Sequence, residues 1–150
     1  MPTNEPETDD DTEFTVAIIK PDAVAAHVVG QIITAIETAL PDLTLEIFGM
    51  DVMEVHEATN LYKEHKGKPF FAALIAHTVS GPSVFMVLDG VDAIAKWRNL
   101  CGATDPKKAL PATLRGRFGT EGPANAVHGS ADEDAAIREL QIIERLLFKS

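Results

Sequence analysis

The chain has 150 residues, 45% hydrophobic and 24% charged, which suits one globular domain large enough to bury roughly two-thirds of its unfolded surface. Its net charge of −10 argues against a general nucleic-acid binder, and Cys101, the only cysteine, excludes an internal disulfide and fits a reducing compartment. No run approaches the roughly 18 apolar residues of a membrane helix, and no basic start leads into an apolar core at the N-terminus, so no membrane association and a cytoplasmic location are expected.

Residues 1–12 hold five acids and no base and read as a disordered acidic tail ahead of a domain spanning 13–150. Glu13 to Ile19 turns from alternating to apolar and predicts a buried strand, ended at Lys20-Pro21-Asp22 because proline withholds a ladder donor. Val28 to Leu40 carries Val29, Ile32, Ile33, Ile36 and Leu40 at helical spacing. Leu43 to Val55 reads as a long strand with a bend or bulge at Gly49. His56 to His65 and Pro69 to Thr78 read as two short helices. Ser83 to Leu88 is a second apolar strand, closed by Asp89-Gly90, and Val91 to Leu100 a helix ended by Gly102.

From Ala103 to Gly122 no periodicity stands out, and so long a loop inside a compact domain is usually functional or disordered. Asn125 to His128 suits a short strand. Ser130 to Phe148 is the last helix, with Ser130 and Glu133 at capping-box spacing and Ile137, Leu140, Ile143 and Leu147 as its apolar stripe. Strands separated by helices in this order predict an α+β sandwich: a ferredoxin-like βαββαβ core with a mostly antiparallel four-stranded sheet, inserted helices and a long loop.

Charge is spread unevenly. Lys96 to Arg117 holds six bases and one acid, Asp105, so a local basic pocket can attract an anion on an acidic molecule. His128 lies in Asn125-Ala126-Val127-His128-Gly129-Ser130. With an ordinary pKa of about 6.5 its ring is largely neutral at pH 7, and a ring nitrogen can act as a nucleophile. Glu139, eleven residues on, lies where a carboxylate can hold one ring nitrogen and leave the other free. Lys20 ends a strand, a frequent ligand-facing position. Arg98 and Arg115 flank the long loop and can clamp a polyphosphate, with Thr104 and Asn125 as further donors. One of Phe70 and Phe71 can stack on a base while the other packs inward. No His, Cys and carboxylate cluster has metal-site spacing, and no Walker A or Gly-rich dinucleotide turn is present. Singly, each residue also has a plainer reading: a structural histidine, a surface lysine or arginine, core aromatics.

Together, and in this order, the segments resemble the nucleoside diphosphate kinase family from about Glu13 to Leu147. The carriers are Asn125-Ala126-Val127-His128-Gly129-Ser130, Lys20-Pro21-Asp22, Tyr62 with Lys68-Pro69-Phe70-Phe71, Ser80-Gly81-Pro82, and Arg98 followed by Gly102-Ala103-Thr104-Asp105-Pro106 and Thr113-Leu114-Arg115-Gly116. The resemblance implies transfer of the γ-phosphoryl group from a nucleoside triphosphate to a diphosphate by a ping-pong route, maintaining triphosphate pools. It implies His128 as acceptor through Nδ1 and Glu139 orienting the ring. Lys20, Arg98, Thr104, Arg115 and Asn125 would bind phosphates and sugar, Phe70 would stack on the base, and Tyr62 and Ser130 would line the site. It also implies Mg²⁺ held by nucleotide and water, and a homo-oligomer, tetramer or hexamer before dimer, with residues 103–117 in subunit contacts. One departure is Ala131, where the family usually has Asp, with Asp132 next. Two rival readings are a nucleotide-binding module without turnover, which Ala131 favours, and a regulatory domain whose basic loop docks an acidic partner.

Overall fold

The computed structural model describes residues 12–148. In chain order its elements are β1 (Thr12–Ile19), α1 (Pro21–Ala25), α2 (Val29–Ala39), β2 (Thr44–Asp51), α3 (Val55–Leu61), a 3-10 turn (Lys63–His65), α4 (Phe71–Thr78), β3 (Ser83–Val91), α5 (Ala93–Cys101), α6 (Leu114–Phe118), β4 (Val127–Gly129) and α7 (Glu133–Leu147). The strands form one sheet in the order β2-β3-β1-β4, every neighbouring pair antiparallel, which is the expected α+β architecture. Thr12 already belongs to β1, so the strand starts one residue before the expected boundary. The acidic-tail reading of 1–11 lies outside the described residues.

Helices cover both faces of the sheet, which explains why β1 and β3 are apolar at successive positions rather than alternate ones. Ala17, Ile19, Val84, Met86 and Leu88 pack with Ile32 and Ile36 of α2 and with Trp97 of α5. Val16, Ile18 and Phe85 face the other way, against Ala58 and Leu61 of α3, Leu74 of α4 and Ile142, Ile143 and Leu146 of α7. The register pairs Ile18 with His128, and directly opposed residues share a face. His128 therefore projects toward α3 and α7, while Val127, opposite Ile19, enters the other core.

Several boundaries differ from the sequence reading, each for a local reason. The stop at Lys20-Pro21-Asp22 is also a helix start: Pro21, whose missing N–H costs nothing in a first turn, opens α1. β3 runs through Asp89 and Gly90 because β1 pairs with it as far as Val91. β2 ends at Asp51, and a register shift between Ile47 and Gly49 is the expected bulge. Ser130 does not cap the last helix. Asp132 does, accepting from the Ala135 N–H, and α7 begins at Glu133. The capping box belongs to α3 instead, between Glu54 and Glu57. The stripe of α7 is also rotated: Ile137 is 51% exposed, and Ala136, Glu139, Ile143 and Leu146 face inward. A buried glutamate is the reason, since a reading by apolar spacing leaves it outside. Within the long loop, α6 is five residues with Leu114 as its buried anchor, too short to show a period.

Candidate active site

The C-terminal end of β1, the Asn125–Ser130 segment, α3 with its 3-10 extension, and α7 meet around His128. Its side chain is 12% exposed. The Nε2–H donates to Glu139 Oε1 at 2.8 Å, and the Ser130 hydroxyl donates to the same oxygen at 2.9 Å. Ser130 Oγ in turn accepts the Val16 N–H at 3.0 Å, so a strand amide fixes the hydroxyl that fixes the carboxylate. With Nε2 committed as donor, the tautomer leaves the Nδ1 lone pair available. Tyr62 meets the imidazole edge-on, ring centroids 5.4 Å apart and planes at 88°. Burial, reinforced by Glu139, pushes the Tyr62 phenol well up, so it stays protonated.

The backbone of His128 is held as firmly as its ring. Trp97 Nε1–H donates to the His128 carbonyl at 3.0 Å. A side chain on Gly129 would place Cβ 2.7 Å from the Trp97 ring, so glycine is required for strand and indole to approach. Trp97 does more than pack. It is fully buried, and it also anchors the strand of the histidine.

Lys20, only 4% exposed, donates from Nζ to Asn125 Oδ1 at 3.0 Å. Burial lowers its pKa from 10.5 to about 8; Asp22 opposes the change and Arg115 adds to it. Asn125 Nδ2 donates to the Thr104 carbonyl at 3.0 Å, tying the start of the long loop to the site. Arg115, on α6, donates through its two terminal nitrogens to the carbonyls of Gly102 at 2.8 Å and Val127 at 2.9 Å, while its buried Nε has no partner. Burial lowers its pKa as well. Arg98 is exposed in the last turn of α5, its stem beside Gly129. Ala131 lines the same surface depression as Arg98, Asp132 and Glu133, so a carboxylate stands next to the departure from the family pattern.

Phe70 is 49% exposed at the start of α4, whereas Phe71 packs inward, the division of labour expected of the pair. Two groups at the site were not singled out in the sequence. His65 lies between Tyr62 and Phe70, centroids 6.3 and 5.3 Å away, and accepts from Lys68 Nζ at Nδ1. Partial burial, then the Lys68 charge, lower its pKa, so a neutral imidazole stands at the mouth. Its signal was available as the histidine three residues after Tyr62. Asp22 accepts the Ala126 N–H, a contact across 104 residues that no local pattern announces. Ala126 has φ 73°, a left-handed conformation that costs a non-glycine residue about 1–2 kcal/mol.

The sequence showed no metal-site spacing, yet Glu54, His56 and Glu57 place their ligand atoms within 4.8 Å of one another. The α3 capping box explains this grouping: Glu57 Oε1 accepts the Glu54 N–H and the Glu54 side chain accepts the Glu57 N–H.

A buried imidazole with one nitrogen fixed by a carboxylate, ringed by ammonium and guanidinium groups and an exposed aromatic, is suited to taking a phosphoryl group from a nucleotide. Comparison with known proteins agrees. The family model described as nucleoside diphosphate kinase matches residues 13–146. The nucleoside diphosphate kinase of Mycolicibacterium gilvum (strain PYR-GCK) is 46% identical over 135 residues, covering 87% of this chain and 96% of that one. A crystal structure of the Aquifex aeolicus nucleoside diphosphate kinase superposes with a TM-score of 0.82 at 32% identity, over 88% of this chain and 94% of that one. The halophilic enzyme from Halobacterium salinarum, in complex with CDP, gives 0.77 at 39% identity, over 87% and 86%.

Proposed function

Since the chain belongs to the nucleoside diphosphate kinase family and transfers the terminal phosphoryl group of a nucleoside triphosphate to a nucleoside diphosphate, we propose that His128 carries that group between two half-reactions. The observation that carries the reading is the Glu139–His128 pair, which commits Nε2 and leaves Nδ1 as the nucleophile. In the first half-reaction Nδ1 forms a bond to the γ-phosphorus, the bond to the bridging oxygen breaks, and the diphosphate departs. Positive charge gathers on the imidazole, and the Glu139 carboxylate stabilises it. In the second, a different diphosphate takes the phosphoryl group back. Little covalent work is left to the protein, so positioning and charge dominate.

Lys20, Arg98 and Arg115 supply that charge in this proposal, with Thr104 and Asn125 on phosphate and sugar. Arg115 is suited because two carbonyls fix its plane while further N–H groups stay free. Phe70 stacks on the base, which every base permits, so discrimination among bases is weak. Tyr62 and Ser130 hold the ring in place.

A divalent cation, Mg²⁺ in this proposal, would be held by the nucleotide's phosphates and water rather than by protein side chains, and would supply neutralisation of phosphate charge. The donor set fits that arrangement: Lys20, Arg98 and Arg115 are cationic, and the carboxylate oxygen that reaches His128, Glu139 Oε1, is already taken by His128 and Ser130. We further propose a single domain over 13–150, a cytoplasmic location and a homo-oligomer, tetramer or hexamer before dimer. Leu110, 72% exposed in the long loop, and Ile47 and Met50, more than half exposed on the edge strand β2, support subunit contacts. Among the described residues no helix is long and apolar enough to cross a membrane.

Incubating the protein with Mg²⁺ and γ-labelled ATP, then adding GDP, tests the proposal. An acid-labile, base-stable phosphoprotein that surrenders its label to GDP is expected. A protein that binds ATP without becoming labelled would support the non-catalytic reading instead.

A further inference from the structure

Beside the nucleophile's segment, Asp22 and His77 form a bridge to which the mechanism above gives no task. His77 Nε2–H, from the last turn of α4, donates to Asp22 Oδ1 at 2.9 Å, and Asp22 Oδ2 accepts the Ala126 N–H at 3.0 Å. Both side chains are 17% exposed, so water competes little for the pair. We propose that His77, acting through Asp22, is a positioning residue for phosphoryl transfer: it holds the Asn125–Ala126 turn, and through it the partners of Lys20 and Arg115, where His128 can attack. The inference rests on the reading of His128 as nucleophile.

Ala126 is where this hold matters. Its left-handed backbone is unfavourable for alanine and persists only where neighbours over-determine it. Both of its peptide groups are engaged: the N–H by Asp22, the carbonyl by the Lys20 N–H at 2.8 Å. The flanking residues carry working contacts. Asn125 Oδ1 receives Lys20 Nζ, and the Val127 carbonyl receives Arg115. If the turn relaxed, the ammonium and the guanidinium would lose their seats relative to Nδ1 even with the fold intact. The bridge also ties α1 to the last turn of α4, the helix whose first turn begins beside Phe70. Small misplacements of reacting groups cost rate far more than they cost affinity. The bridge therefore acts more strongly on kcat than on nucleotide binding.

The test is single-turnover phosphorylation by saturating Mg²⁺-ATP in wild type, H77L and H77Q, with ADP affinity measured alongside. Leucine removes the donor; glutamine offers an amide N–H near the position of Nε2. A fall of about five- to tenfold in the phosphorylation rate is expected for H77L, with ADP affinity within about twofold of wild type. H77Q should recover most of the rate. Should H77L fail to fold, H77N, whose amide stops short of Asp22, takes its place with the same expected loss. Equal impairment of H77L and H77Q, an unchanged rate in H77L, or a loss confined to ADP affinity would each overturn the proposal. A wild type that forms no phosphoenzyme would overturn the underlying reading together with this one.

Discussion

Lys20→Met should make the nucleotide-free protein more stable at pH 7 while removing most of its activity. The wild type keeps an ammonium where burial disfavours charge, and lowering its pKa from 10.5 to about 8 corresponds to about 3 kcal/mol against the charged form. Truncation also loses the hydrogen bond to Asn125 and leaves that oxygen unpartnered, which offsets about 1–2 kcal/mol. The expected gain is thus about 1–2 kcal/mol. Its pH dependence identifies the cause. The folded pKa lies below the unfolded one, so between about pH 8 and 10.5 the unfolded chain holds the extra proton and wild-type stability rises with pH. The methionine variant lacks that rise, so its advantage is greatest below pH 8, vanishes at about pH 9 and reverses by about pH 10.5, where only the lost hydrogen bond counts. Denaturant titrations of both proteins at pH 7 and pH 10 measure the gap. A variant less stable at pH 7, or a gap of equal size at both pH values, would refute the argument. On the same grounds, wild-type kcat/KM should fall as pH rises through about 8, where Lys20 loses its proton.

Three further substitutions separate support of the site from contact with substrate. Gly129→Ala drives a Cβ into the Trp97 ring at 2.7 Å and should cost about 1–3 kcal/mol in a denaturant titration; an unchanged midpoint would mean strand and indole are less tightly packed than described. Arg138→Ala removes a guanidinium that donates to the carbonyls of Asn60 and Leu61 and pairs with Glu64. It should cost about 1–2 kcal/mol and speed amide exchange just before Tyr62, and unaltered exchange there would remove its role as a cap on α3. Phe70→Ala should raise nucleotide KM about tenfold or more through lost stacking, with little change in stability because the ring is half exposed; an unaltered KM would take Phe70 out of the base site.

The sequence disclosed most readily what depends on continuous local pattern. β1 and β3 read as buried because both faces are covered and apolar residues therefore run on at successive positions, Val16 to Ile19 and Val84 to Leu88. Gly49 marked its bulge because a single glycine in a strand has few other uses. The five-residue helices α1 and α6 escaped because neither is long enough to establish a period. On α7, function overrode pattern: Glu139 takes an inward position that apolar spacing would assign to a hydrophobic side chain, and Ile137 is displaced to the surface. Ser130, at capping-box distance from Glu133, is instead occupied by Glu139 and Val16, so Asp132 serves as cap.

The same division runs through the site. His128, Lys20, Arg98, Arg115 and Asn125 were visible because their motifs are short and ordered along the chain. Asp22 and His77 meet across 55 residues, and only the folded arrangement shows that they bear on Ala126. His65 lay inside a recognised segment, but its place between Tyr62 and Phe70 depends on the 3-10 turn that carries it.

The most direct measurement identifies which nitrogen of His128 carries the phosphoryl group. Phosphorus NMR of the enzyme phosphorylated by ATP, kept at alkaline pH and compared with the two phosphohistidine isomers, should show the Nδ1-linked form, with no signal from His128→Asn. The Nε2-linked isomer would require the 2.8 Å contact with Glu139 to be broken in the working enzyme, and would contradict the arrangement from which the mechanism was drawn.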